Sequence, residues 1–175
     1  MSRVVSGPIP QQEMQRFLDT FLYREEAFLL DEIVSADREA FAMEARLDTA
    51  RALPYSDAQR VRPEHPAHVS AAELLMATGS LGCLHAFWFH GCRWELGWSG
   101  FGNRIHRADF RRLVSRGPPL VLHSRETRRR VGPRRVMLRL EFRFEQDGQL
   151  AYWGDQSALF LLGHGAGPEP DADLT

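Results

Sequence analysis

The residues best suited to chemistry are gathered in one short stretch: Arg62, Glu64, His65 and His68, followed at once by Ser70 and Glu73. Imidazoles, a hydroxyl and carboxylates accept and deliver protons, which is what general acid–base chemistry requires. Ser70, Ala71, Ala72 and Glu73 also fit the S-x-x-E capping box, in which each polar side chain satisfies an orphan amide of a helix's first turn. The stretch therefore runs into a helix N-terminus, where free N–H groups and the positive dipole end can hold an acyl oxyanion or a phosphate. Glu73, His65 and His68 are the candidate bases for activating water or an amine. Each has a structural rival. Ser70 and Glu73 satisfy a cap whatever the chain does, and His65 and His68 flank Pro66 in a loop where both rings can simply be solvated. His85, His106 and His123 have no comparable context. Cys83 and Cys92 lack metal-ligand spacing, so reduced thiols, no metal and no cofactor are expected.

The element that must position these groups is the stretch 68–90, HVSAAELLMATGSLGCLHAFWFH, which reads as a buried helix. Leu74, Leu75, Met76, Leu81, Leu84, Phe87 and Trp88 alternate with Ala, Gly and Ser, so bulk is interleaved with places where another backbone can approach. Before it, residues 50–67 carry Pro54, Pro63 and Pro66 and form a long connection, a candidate rim for an active site. Residues 1–10 read as a flexible leader, 11–23 as a short amphipathic helix, and 27–37 with 39–48 as a hairpin turning near Asp37. After the helix, GCRWELGWSGFGNR suggests a loop or irregular edge, whose Trp94, Trp98 and Phe101 either wall a ligand channel or pin the loop to the core. Strand-like segments follow. The cleanest alternates Leu138, Leu140, Phe142 and Phe144 with Arg139, Glu141, Arg143 and Glu145, then turns at Asp147 and Gly148 into a partner spanning 150–162. Residues 164–175 read as a disordered tail. One helix with an antiparallel sheet curled around it is the simplest burial of this pattern, an α+β class rather than a doubly wound one. Its open sheet edge predicts at least a homodimer.

At 175 residues the chain is expected to be one domain. Its net charge of −1, with 22 basic residues that are all arginine, argues against nucleic-acid binding through overall charge. Arg128, Arg129 and Arg130 head the strongest local cluster, suited either to the phosphates of coenzyme A or the acidic face of an acyl carrier protein, or to keeping a strand end solvated. No bilayer span and no signal segment are read, and a cytoplasmic location is expected.

The segment ADFRRLVSRGPPLVLHSRETRR resembles the strand–turn–strand of hotdog-fold acyl-thioester enzymes, and HVSAAELLMATGSLGCLHAF resembles their central helix. Within that superfamily the chain is most similar to the FcoT-type long-chain acyl thioesterases, whose helix begins with a pattern seen here as His68, Ser70, Ala71, Glu73 and Leu74. The resemblance implies a hotdog domain over 11–163, a curved antiparallel sheet wrapped around one long helix. It also implies hydrolysis of a fatty acyl group from an acyl carrier protein or coenzyme A, without a cofactor. The family's asparagine at the helix start and its tyrosine in the preceding loop are replaced here by Ser70 and Arg62. A second family tyrosine corresponds to Tyr23. Homologues in isonitrile lipopeptide biosynthesis imply a further activity, Michael addition of glycine to an α,β-unsaturated acyl carrier before release of a β-amino acid, for which Arg62 suits the glycine carboxylate. The superfamily's dehydratases carry a histidine at a set distance before a helical acid; counted back from Glu73, that place holds Gln59, which disfavours dehydration. A 3-hydroxyacyl dehydratase-like enzyme and a non-catalytic acyl-binding protein are the alternatives.

Overall fold

The computed structural model describes residues 5–163; the expected tail, 164–175, lies outside the described residues. In chain order the elements are α1 (Gln11–Thr20), β1 (Glu32–Asp37), β2 (Ala42–Leu47), α2 (Pro54–Asp57), β3 (His68–Val69), α3 (Ala71–His90), β4 (Trp98–Phe110), β5 (Val114–Ser115), β6 (Leu120–Val131), β7 (Arg135–Gln146) and β8 (Gln149–Leu162). Six strands form one antiparallel sheet in the order β1-β2-β6-β7-β8-β4, and β3 pairs with β5 in a two-residue ribbon. The sheet curls around α3, giving the expected hotdog arrangement.

Alternation along β7 decides which face does this. Leu138, Leu140, Phe142 and Phe144 are buried, and the strand pairs Leu140 with Gln156 and Phe144 with Tyr152 on the same inner face. Because sheet or loop surrounds it, α3 buries polar positions as well as apolar ones, including Glu73, Thr78, Ser80 and His85. Its start is the capping box, with Ser70 Oγ accepting from the Glu73 amide at 3.4 Å, and its end is Gly91 in the left-handed region at φ 66°. α1 closes one side through Phe17, whose ring meets Phe87 of α3 edge-on at 5.1 Å. Burying that side chain contributes about 1.5–3 kcal/mol.

One expectation is corrected. The leader is anchored from residue 5, because Val5 and Ile9 are buried in the core and Ser6 bridges to Glu32. Gly7 makes this close approach possible, since a Cβ there would lie 2.1 Å from the Ile33 carbonyl oxygen. The 50–67 connection is kept short of any long element, as its prolines imply, and holds one helical turn, α2, with Pro54 at its first position, where a missing N–H costs nothing. The glycine-rich segment after α3 is, as expected, a loop that runs into an irregular edge: β4 begins at Trp98 opposite Leu162, is the last strand in the sheet order and carries register shifts. Gly100 serves packing, for a Cβ there would sit 2.8 Å from the Phe160 ring.

Candidate active site

Glu73 lies at the third position of α3 with 2% of its surface exposed. Its carboxylate accepts from five donors: the Tyr55 amide (2.7 Å), the Ser56 amide (3.1 Å), the Ser56 hydroxyl (2.5 Å), the Ser70 hydroxyl (2.5 Å) and the Ser70 amide (3.3 Å). Burial pushes the carboxyl up, but the hydroxyls of Ser56 and Ser70 and the two amides from α2 outweigh it and leave Glu73 below the ordinary glutamate range. A carboxylate so fully engaged is a poor base. It clamps α2 onto the start of α3, and Ser70 is spent on the same network, so both residues position the helix end. The first two helical amides, of Ala71 and Ala72, precede the first intrahelical bond from Leu74 N to Ser70 O and project from that end.

His68 stands two residues before the cap, half-buried on β3. Its backbone is fixed by pairing opposite Ser115 and by the Gln59 amide, which donates to His68 O at 2.9 Å. The ring Nδ1 lies 2.8 Å from the Pro66 carbonyl oxygen. A carbonyl only accepts, so Nδ1 carries the hydrogen and the neutral ring presents Nε2 as a lone pair. His65 is exposed, its ring 5.0 Å from that of His68. Arg62 is exposed as well and pairs backbone with His65 at 3.0 Å in both directions, closing a tight turn.

A cavity of about 150 Å³ opens between α3 and the sheet, with one wall from the segment after α1. Leu75, Met76, Gly79 and Cys83 line it from the helix, Leu140 and Phe142 from β7, and Phe160 from β8. Gly79 clears the space: nothing lies within 4 Å of where its Cβ would be. Leu75 is four residues past Ala71, about 6 Å of helical rise, so the cavity begins one turn from the helix start. Its polar part is a chain in which Thr78 Oγ1 reaches Gln156 Oε1 at 3.1 Å and Gln156 Nε2 donates to the Tyr152 hydroxyl at 2.8 Å. Tyr23 lines it with 58% of its surface exposed. The Cys83 thiol is pushed up to about 12 by burial, so it is no thiolate nucleophile at neutral pH. Neither a carboxylate nor a histidine lines the cavity among the described residues.

The remaining expected residues fall elsewhere. Trp94 and Trp98 are buried and do not line the cavity; Trp94 stacks on Phe160 with centroids 6.1 Å apart, so these tryptophans pin the turn before β4 to the core. Phe101 does line it. Arg128, Arg129 and Arg130 sit on the second half of β6 and none lines the cavity; Arg129 is held by Glu126 at 2.9 Å and lies over the Phe41 ring at 4.0 Å. His106, given no role by the sequence, lies 3.2 Å from Ser157 Oγ, and Asn103 lies 3.5 Å from the same oxygen. Both occupy register shifts of β4, and bulges of this kind re-aim a side chain. Ser157, paired with Arg139 across β7 and β8, also lines the cavity, so this network adjoins its polar side without placing His106 or Asn103 in the lining.

No known protein-family profile matches the chain, and no curated relative matches it by sequence. Solved structures do match in fold. They include the dehydratase heterocomplex ApeI:P of Xenorhabdus doucetiae, at 10% identity and a TM-score of 0.61 over 86% of this chain and 91% of that one. A conserved protein of Pseudomonas aeruginosa matches at 17% identity and 0.55, over 82% and 98%. A thioesterase of Haemophilus influenzae matches at 15% identity and 0.52, over 87% and 94%. At these identities the similarity is one of fold, and the fold is the hotdog fold of thioesterases and dehydratases.

Proposed function

We propose that this protein is an acyl thioesterase that hydrolyses a fatty acyl group from an acyl carrier protein or coenzyme A. The observation that carries the reading is the apolar cavity beginning one turn from an amide-rich helix start. In this reading the acyl chain lies in the cavity, the thioester carbonyl meets the Ala71 and Ala72 amides, and His68 Nε2 takes a proton from the attacking water. Negative charge that develops on the carbonyl oxygen as water adds is stabilised by those amides and by the helix dipole. Glu73 and Ser70 hold the helix end in place, and Tyr23 borders the mouth. Exposed Arg128 and Arg130 would seat the anionic handle of the carrier through the N–H forks of their guanidinium groups on phosphate.

Volume bears on the substrate. A dry cavity of about 150 Å³ accommodates a benzene-sized group, roughly six carbons, so this one suits a short acyl chain or the tip of a longer chain leaving beside Tyr23. The second copy expected of the fold would add to β4, the last strand of the sheet among the described residues, which exposes Ile105 and Phe110. Light scattering at micromolar concentration should then report a dimer or higher oligomer.

The deciding assay follows intact carrier protein by mass spectrometry. Loss of acyl groups of about six carbons or longer, with release of the unchanged acid, is the expected result; binding without turnover would make the chain an acyl-binding module. Glycine added to an unsaturated acyl carrier separates the further activity implied by the isonitrile homologues, since amine addition gives a heavier product, with Arg62 as partner for the glycine carboxylate.

A further inference from the structure

The far end of α3 holds a second cluster, apart from the cavity. His85, the terminal helical residue His90, and Glu126 of β6 bring their ligand atoms within 4.8 Å of one another. His90 Nε2 lies 2.6 Å from Glu126 Oε2 and His85 Nε2 lies 3.4 Å from the same oxygen. His85 is completely buried, and neither ring nitrogen has a hydrogen-bond partner among the described residues; the 3.4 Å approach to Glu126 lacks hydrogen-bond geometry. Leaving a buried imidazole unpaired costs about 1–3 kcal/mol, so the site is built for something its own side chains do not provide.

We propose that His85, His90 and Glu126 form a binding site for a first-row divalent metal ion of the zinc class, which ties the end of α3 to β6. Two imidazoles and one carboxylate are a donor set that zinc accepts, leaving a fourth position open. Ligand atoms about 2.05 Å from a tetrahedral ion lie about 3.3 Å apart. The 3.4 Å between His85 and Glu126 already matches that edge, and the His90–Glu126 contact has to open by about 0.7 Å. The surroundings are organised for this. Arg129 engages the other oxygen, Glu126 Oε1, at 2.9 Å and so orients the carboxylate, as outer-shell partners of metal ligands do. Phe41 covers the cluster: its carbonyl accepts from the Glu126 amide at 3.0 Å, and its ring stacks on His90 at 5.6 Å. It does so at φ 46°, a left-handed conformation that a bulky non-glycine residue adopts only where its surroundings hold it. Phe89 packs edge-on against His85 at 4.6 Å, completing an apolar wall. The absence of a metal site expected from the sequence is thus revised, and His85 acquires the role that its sequence context did not suggest.

The test uses tag-free, chelator-stripped protein titrated with Co²⁺ alone and followed by its visible d–d bands, then with Zn²⁺ in competition. One Co²⁺ per chain is expected, displaced by Zn²⁺, with a rise in melting temperature on binding. Glu126→Gln and His90→Gln should each weaken binding at least tenfold, while the double variant His65→Ala/His68→Ala, which removes the other histidine pair, should bind as the wild type does. His85→Phe tests the buried ligand; if it fails to fold, the two glutamine variants, checked by near-ultraviolet circular dichroism, decide. Absence of saturable binding to the wild type, equal binding by Glu126→Gln, or loss of binding in the His65/His68 variant would each overturn the proposal. Hydrolysis plays no part in these readouts, so they stand whether or not the protein is a thioesterase.

Discussion

Glu73 and Glu126 are both carboxylates buried against α3, one at its first turn and one beneath its last. Glu73 is met by five neutral donors, hydroxyls and amides supplied by the cap and by α2, which fill its lone pairs. Glu126 is met by basic groups: burial would push it up, yet His85, His90 and Arg129 hold it well below the usual carboxylate range. The first cluster is closed, since every polar atom in it has found a partner within the fold. The second is open on the His85 side. A satisfied buried network rigidifies, whereas an unsatisfied one marks a place where something else belongs. By that criterion the most conspicuous acid near the expected catalytic stretch is scaffolding, and the less conspicuous end of the helix is the place to look for a ligand.

The largest effect that would break this comparison is on stability. Glu73→Ala strands the hydroxyls of Ser56 and Ser70 and two amides of α2, and should cost about 3 kcal/mol in urea unfolding. A loss under about 1 kcal/mol would mean that the network is ornamental. Next comes turnover. His68→Gln should lower kcat about a hundredfold, near 2.7 kcal/mol, with melting unchanged, while Glu73→Gln should stay within about threefold of wild type because the amide can donate to the two serine hydroxyls instead. Should Glu73→Gln suffer the hundredfold loss instead, the glutamate is the base after all.

A smaller effect is the pH dependence. The folded Glu73 carboxyl is held below its ordinary value of 4.5, so its contribution to stability is present above that value and is lost as pH falls through the lower, folded one. The stability difference between wild type and Glu73→Gln should therefore shrink between pH 6 and pH 3; a gap that stays constant would show that the ionised form is not what the cluster stabilises. The smallest effect concerns the cavity between the two ends. Gly79→Ala should stabilise by roughly 0.8 kcal/mol through helix propensity, because its Cβ meets open space. Gly79→Leu should fill that space and raise KM for the longer acyl substrates about tenfold, a split between stability and binding that thermal melts and chain-length kinetics would read separately.

Features that depend on neighbours in the chain were legible without the structure. The capping box needs only Ser70 and Glu73 three apart, and α3 starts there. The Asp147-Gly148 turn needs two residues able to take positive φ, and they have 52° and 69°. The alternation along β7 needs only a period of two, and it sets the inner face of the sheet. What the tertiary structure alone decided depends on partners distant in sequence. Ser56 and Tyr55 come from a single turn within the long connection, 14 and 15 residues before the cap, and their donors turn a candidate base into a clamp. Trp94 and Trp98 can face a channel or a core on the same local sequence, and only the position of Phe160 on β8 settles it. His85 and His90 lie five apart on one helix, a spacing without a metal signature, and Glu126 is 36 residues further on. Helical periodicity sets where a side chain points, but only the folded sheet sets what it meets there.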